Sequence, residues 1–121
     1  MIRCLIVDDN ASFLDAATSV LQRDGVTVVG TARTIEQALR QAGELQPDAI
    51  LADIMLGDES GFDLARRLAE TGSGATVILI STHAEADFAE LIDETPAAGF
   101  VPKSQLSAAA VRGLVSERRD T

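Results

Sequence analysis

The sequence predicts a doubly wound α/β fold, a five-stranded parallel sheet with five alternating helices on both faces. Three observations carry this. Five short apolar runs, Cys4–Val7, Val26–Val29, Ala49–Ala52, Val77–Ile80 and Gly99–Val101, are continuous rather than alternating, as in strands buried on both faces of a parallel sheet. Segments with helical spacing follow each run. The apolar content is 46%, with no Trp or Tyr and four Phe, so the core must be aliphatic and suits helices laid on a sheet.

The first run stops at Asp8. Phe13, Ala17, Val20 and Leu21 then fall at helical spacing, and Gly25 follows as a C-terminal stop. After the second run, Thr34 and Gln37 have the spacing of a capping box. Ile35, Ala38, Leu39 and Ala42 repeat the stripe, and Pro47 blocks its continuation. The third run leads to Asp53, and Leu64, Ala65 and Leu68 share the next face. The fourth run ends in Ser81-Thr82, followed by Phe88, Leu91 and Ile92. The fifth leads through Pro102 to Lys103, and Val111, Leu114 and Val115 form the last stripe. No repeat, linker or low-complexity tract interrupts this order, so 1–121 reads as a single domain. Right-handed crossovers turn strict β-then-α alternation into a parallel sheet.

The net charge is −9, from 19 acidic and 10 basic residues. That argues against direct nucleic-acid binding, which needs clustered Lys and Arg, and against an anionic membrane surface. A basic protein partner or a bound cation fits better. The acidic stretch Glu85, Asp87, Glu90, Asp93 and Glu94 reads as a solvated helix face. No run approaches the ~18 apolar residues of a membrane span, and the first run is too short and too abruptly acidic for a signal peptide. The single cysteine, Cys4, cannot form an internal disulfide. It reads as a small buried hydrophobe in a reducing, cytoplasmic compartment.

In sheets of this kind, ligands bind beyond the carboxyl ends of the strands. Polar residues appear at those ends: Asp8-Asp9, Asp53, Ser81-Thr82 and Lys103. Two unit charges 4 Å apart repel by about 4 kcal/mol at an effective dielectric of ~20, so three converging carboxylates need compensation. Oxygen ligands suit Mg²⁺ (or Mn²⁺), Lys103 adds a point charge, and the lack of a Cys/His cluster excludes structural zinc. A carboxylate beside a cation, an ammonium and a hydroxyl is what phosphoryl transfer requires.

The segments Cys4-Leu5-Ile6-Val7-Asp8-Asp9-Asn10, Ile50-Leu51-Ala52-Asp53-Ile54-Met55-Leu56 with Ser60-Gly61-Phe62, Val77-Ile78-Leu79-Ile80-Ser81-Thr82 and Ala98-Gly99-Phe100-Val101-Pro102-Lys103 together resemble response-regulator receiver domains, in order and along essentially the whole chain. The resemblance implies a flavodoxin-like fold in two-component signalling. It implies Asp53 as phospho-acceptor, and Asp8, Asp9, Asp53 and the backbone carbonyl of Met55 around Mg²⁺. Ser81 would hydrogen-bond the phosphoryl group and Lys103 would pair with it. Ser81 and Phe100 would form a switch to the surface around the fourth helix, fifth strand and fifth helix. The implied partner is a sensor histidine kinase or phosphotransfer protein, with homodimerisation on phosphorylation compatible with the family.

Some positions depart from the commoner pattern. Gly57 replaces a proline and suggests a more flexible loop. Thr82 replaces a smaller residue and suggests restricted access to the phosphoryl group. Ser104 replaces a proline and removes the expectation of a cis peptide. His83 could approach the phosphate or lie in an exposed loop. Such a chain is a switch rather than an enzyme. A phosphatase of the haloacid dehalogenase type wants a second Asp where Met55 stands. The alternative is a receiver-like interaction module that is not phosphorylated, which usually lacks an acidic or Lys position. A stand-alone receiver and the N-terminal part of a longer regulator both fit.

Overall fold

The computed structural model describes residues 2–82 and 89–120. The side chains of Leu91 and of residues 118–120 lie outside that description, as do His83, Glu85, Asp87 and Phe88 entirely. The sheet comprises β1 (Arg3–Val7), β2 (Thr27–Ala32), β3 (Ala49–Asp53), β4 (Thr76–Ser81) and β5 (Gly99–Pro102). All pair in parallel in the order β2-β1-β3-β4-β5. The helices are α1 (Ala11–Arg23), α2 (Ile35–Leu45), α3 (Gly61–Glu70), α4 (Ala89–Glu94) and α5 (Ala108–Asp120). From β1 the chain moves outward to β2, then crosses back to β3 on the other side. The strand order therefore switches between β1 and β3, which is where such sheets open a crevice.

Strand side chains alternate between two cores. Leu5, Val7, Ile50, Ala52, Val77 and Leu79 pack with α2 and α3. Cys4, Ile6, Ala49, Leu51, Ile78 and Ile80 pack with α1 and α5. Leu5, Ile6, Leu51 and Ile78 are fully buried, each stabilising the fold by about 1.5–3 kcal/mol relative to exposure. Aliphatic residues fill both cores, with Phe62 the only buried aromatic among the described residues.

Two expectations need correction. Val20 is 38% exposed, and α1 buries Leu14, Ala17 and Leu21 instead. Its buried face lies one position round from the Phe13 and Val20 stripe, and Phe13 is only half-buried. The second strand is not buried on both faces. It is an edge strand running to Ala32, with Val28 and Val29 half-buried. Its register with β1 shifts after Cys4, which pairs with Val28 while Leu5 pairs with Gly30.

Helix ends follow local chemistry. Thr34 accepts from the Gln37 amide at 3.1 Å, while the Gln37 side chain accepts from the Arg33 amide at 2.9 Å. The box thus closes one residue earlier than the reciprocal form. Gly25 takes φ +93° after α1, and Gln46 takes φ 47° before Pro47. Among the described residues there is no cis peptide bond.

Candidate functional site

The ends of β1, β3 and β5 bring their acidic and basic residues together at the carboxyl edge of the sheet. Asp8 and Asp53 continue the side-chain alternation of Ile6 and Leu51, so both belong to the α1/α5 side. Asp8 is fully buried and Asp53 is 6% exposed, whereas Asp9 is exposed. Oxygen atoms of these three carboxylates lie within 4.8 Å of one another. The Lys103 Nζ bridges the two buried ones, 2.6 Å from Asp8 Oδ2 and 3.0 Å from Asp53 Oδ2. Lys103 reaches them from a 3₁₀ turn, Lys103–Gln105, that opens directly after β5.

Backbone amides hold the remaining oxygens. The Asn10 amide donates to Asp8 Oδ1 at 2.9 Å, and the Met55 amide to Asp53 Oδ1 at 3.0 Å. Burial pushes the Asp53 carboxyl above its usual range, opposed by the hydrogen bonds from Lys103 and Met55 and assisted by the charge of Asp8. Burial pushes the Lys103 ammonium down, but its bonds to Asp8 and Asp53 outweigh that and hold its pKa above the usual value. The lysine therefore stays charged as long as the carboxylates face it.

The donor set fits a hard divalent cation. It holds oxygen donors only, and one of them, Asp8 Oδ2, has no hydrogen-bond partner beside the lysine contact. Ser81 is buried at the end of β4, two residues beyond Leu79 and four beyond Val77. Phe100 pairs with Leu79 on the adjacent strand and packs, half-buried, on the α2/α3 side with Ile92 and Ala97. Thr82 is exposed beside Ser81. Met55 is 55% exposed at the rim.

A model of the response regulator receiver domain matches residues 4–112. The chain belongs to that family. This receiver domain resembles the response regulator GacA of Pseudomonas viridiflava at 31% identity over 115 residues, 94% of this chain and 54% of that protein. The uncharacterized transcriptional regulatory protein YvfU of Bacillus subtilis is 33% identical over 104 residues, 85% of this chain and 52% of that one. The signal receiver domain of the putative response regulator NarL from Mycobacterium tuberculosis superposes with a TM-score of 0.87 at 27% identity, covering 95% of this chain and 96% of that one. The receiver spans about half the length of the curated relatives it matches.

Several site residues escaped the sequence reading. A short hairpin pairs Met55–Leu56 with Glu59–Ser60, and Gly57 serves its turn at φ +63°. The glycine there meets a backbone requirement rather than loosening the loop. Glu59 accepts from the Ile35 amide at 3.0 Å, fastening the hairpin to the start of α2. Arg33 donates to the Asp9 carbonyl at 3.0 Å. A Cβ on Gly61 would lie 2.3 Å from the Asp53 carbonyl oxygen, so only glycine lets α3 begin against β3. Phe13 places its ring 4.4 Å from Lys103 Nζ. Arg33, Glu59 and Phe13 stand outside any motif, and only the fold brings them to the site.

Proposed function

We propose that Asp53 accepts a phosphoryl group from a sensor histidine kinase or phosphotransfer protein, in a reaction that depends on Mg²⁺ or Mn²⁺. The observation that carries this is the lysine bridge. An ammonium lies 2.6 and 3.0 Å from two buried carboxylates, with a third carboxylate within 4.8 Å.

Asp8, Asp9 and Asp53, with the backbone carbonyl of Met55, would hold the cation. Bound there, it offsets negative charge on the carboxylates and on the incoming phosphoryl oxygens. Burial raises the Asp53 pKa, and a more basic carboxylate is a better nucleophile. A carboxylate oxygen bonds to phosphorus, the bond from phosphorus to the donor nitrogen breaks, and that electron pair stays on the donor imidazole. Lys103 leaves the Asp53 oxygen for a phosphoryl oxygen, keeping its hold on Asp8. The Ser81 hydroxyl donates to another phosphoryl oxygen.

Ser81 and Phe100 lie on adjacent strands, which supports a switch in which movement of Ser81 frees space for Phe100. The output surface is α4, β5 and α5, and homodimerisation there on phosphorylation belongs to the same reading. So do residues 1–121 as one receiver unit, a cytoplasmic location and no direct nucleic-acid contact by this domain. The receiver works as a switch rather than as an enzyme acting on others.

The test is incubation with an acyl phosphate and Mg²⁺, followed by intact mass. One phosphoryl adduct is expected, lost in Asp53→Asn and with chelator. No adduct from any donor, kinase included, would overturn the proposal in favour of an interaction module that is not phosphorylated.

A further inference from the structure

We propose that Phe13 is a positioning residue for Lys103, its ring holding the ammonium at the acceptor site while leaving it free to turn. The proposal rests on Lys103 serving as the phosphoryl-binding cation. Lys103 Nζ stands 4.4 Å from the Phe13 ring centroid, within cation–π range. The contact closes a ring of interactions around Asp8. The Asn10 amide donates to Asp8 Oδ1 at 2.9 Å, and the Phe13 amide donates to the Asn10 side chain at 3.2 Å. The Phe13 ring meets Lys103, and Lys103 returns to Asp8 Oδ2 at 2.6 Å. The cap that starts α1 thereby also fixes the height of the aromatic ring over the site.

The physical need is specific. Asp53 Oδ2, at 3.0 Å, holds Lys103 only before transfer. Once the acceptor carries a phosphoryl group, the ammonium must turn toward a new oxygen. A hydrogen bond resists turning, whereas attraction to a ring face depends mainly on distance. The lysine side chain is only 13% exposed, with the ring standing beside its ammonium. Phe13 itself is half-buried against the α1/α5 core, so a leucine there keeps much of the packing and removes only the π face.

Lys103 is the chain's only lysine, which makes the test clean. Wild type, Phe13→Leu and Phe13→Tyr are treated with an acylating ester at fixed pH, and acylation of Lys103 is followed by peptide mass apart from the N-terminal amine. Phe13→Leu should react about three- to tenfold faster, the range a partly desolvated cation–π contact supports. Phe13→Tyr, which keeps the ring, should stay within about twofold of wild type. Phosphoryl uptake from an acyl phosphate should fall in Phe13→Leu and recover in Phe13→Tyr. If Phe13→Leu shows no cooperative melt, Phe13→Met replaces it. Equal acylation of the leucine variant and wild type would overturn the proposal, as would a tyrosine variant as reactive as the leucine one. Failure of the wild type to take up phosphoryl would instead strike the functional reading, while acylation would still decide the contact.

Discussion

Replacing Asp53 with Asn should stabilise the receiver at neutral pH in the absence of divalent cations. At the 4.8 Å limit between carboxylate oxygens and an effective dielectric of ~20, repulsion by Asp8 costs about 3.5 kcal/mol. Asp9 adds less because it is exposed. Attraction to Lys103 at 3.0 Å returns about 5.5 kcal/mol on the same scale. Attraction exceeds the Asp8 repulsion by about 2 kcal/mol on this scale, so the cost of burying the charge must outweigh that difference to set the sign. Burial is also the leading cause that raises the Asp53 pKa. We expect Asp53→Asn to gain on the order of 1 kcal/mol, the usual size of a single-residue effect, a rise in Tm of roughly 3–6 °C for a domain of this size. The pH dependence follows from the same shift. A carboxyl whose folded pKa is raised penalises folding only when ionised. The penalty is absent below the unfolded value of about 3.9 and grows as pH rises toward the folded value. Urea unfolding in chelator, at pH 7 and near pH 4, should therefore show an advantage for Asp53→Asn that shrinks on acidification. Adding Mg²⁺ should stabilise the wild type more than the variant. A variant less stable than wild type at pH 7, or an advantage indifferent to pH, would refute the reasoning.

Three further outcomes are expected. Gly61→Ala should lose about 2–4 kcal/mol, because its Cβ meets backbone at 2.3 Å that side-chain movement cannot relieve; a urea midpoint unchanged from wild type would contradict this. Burial pushes the Cys4 thiol up to about 12, so native Cys4 should resist disulfide reagents at pH 8 until the protein unfolds. Its contribution to stability is complete below the unfolded value of about 8.5 and falls by about 1.4 kcal/mol per pH unit above it, a slope that Cys4→Ala should lack. Thr82 stands exposed beside Ser81, and Thr82→Ala should speed loss of the phosphoryl group severalfold by chase and intact mass; equal rates would remove Thr82 as the restricting group.

The sheet was legible because burial on both faces leaves unbroken apolar runs, and the site was legible because strand ends interrupt them with acids and a lysine. Convergence of Asp8, Asp53 and Lys103 needed only the strand order. The edge strand was harder. Val26–Val29 looks like its neighbours in composition, and only the pairing order shows that its strand lies at the edge of the sheet. Val20 misled because one apolar residue can fit two adjacent helical stripes, and the sheet chose the one through Leu14. Glu59, Arg33 and Phe13 were illegible for a different reason. Each acts through a partner 24 or more residues away, across a loop whose path the local pattern does not encode.

The alternation of side chains along the strands has a consequence for how such a domain can be tuned. Asp8, Asp53 and the lysine clamp hang on the α1/α5 side, while Phe100 packs on the other. The sheet is a partition, crossed only at its rim. On the proposed function, Asp8, Asp53 and Lys103 would hold the phosphoryl group from one side, while Ser81 would reach it from the other and pass the change to Phe100. A change confined to the α1/α5 side, such as Phe13→Leu, should then alter phosphoryl uptake while leaving the packing around Phe100 as it was.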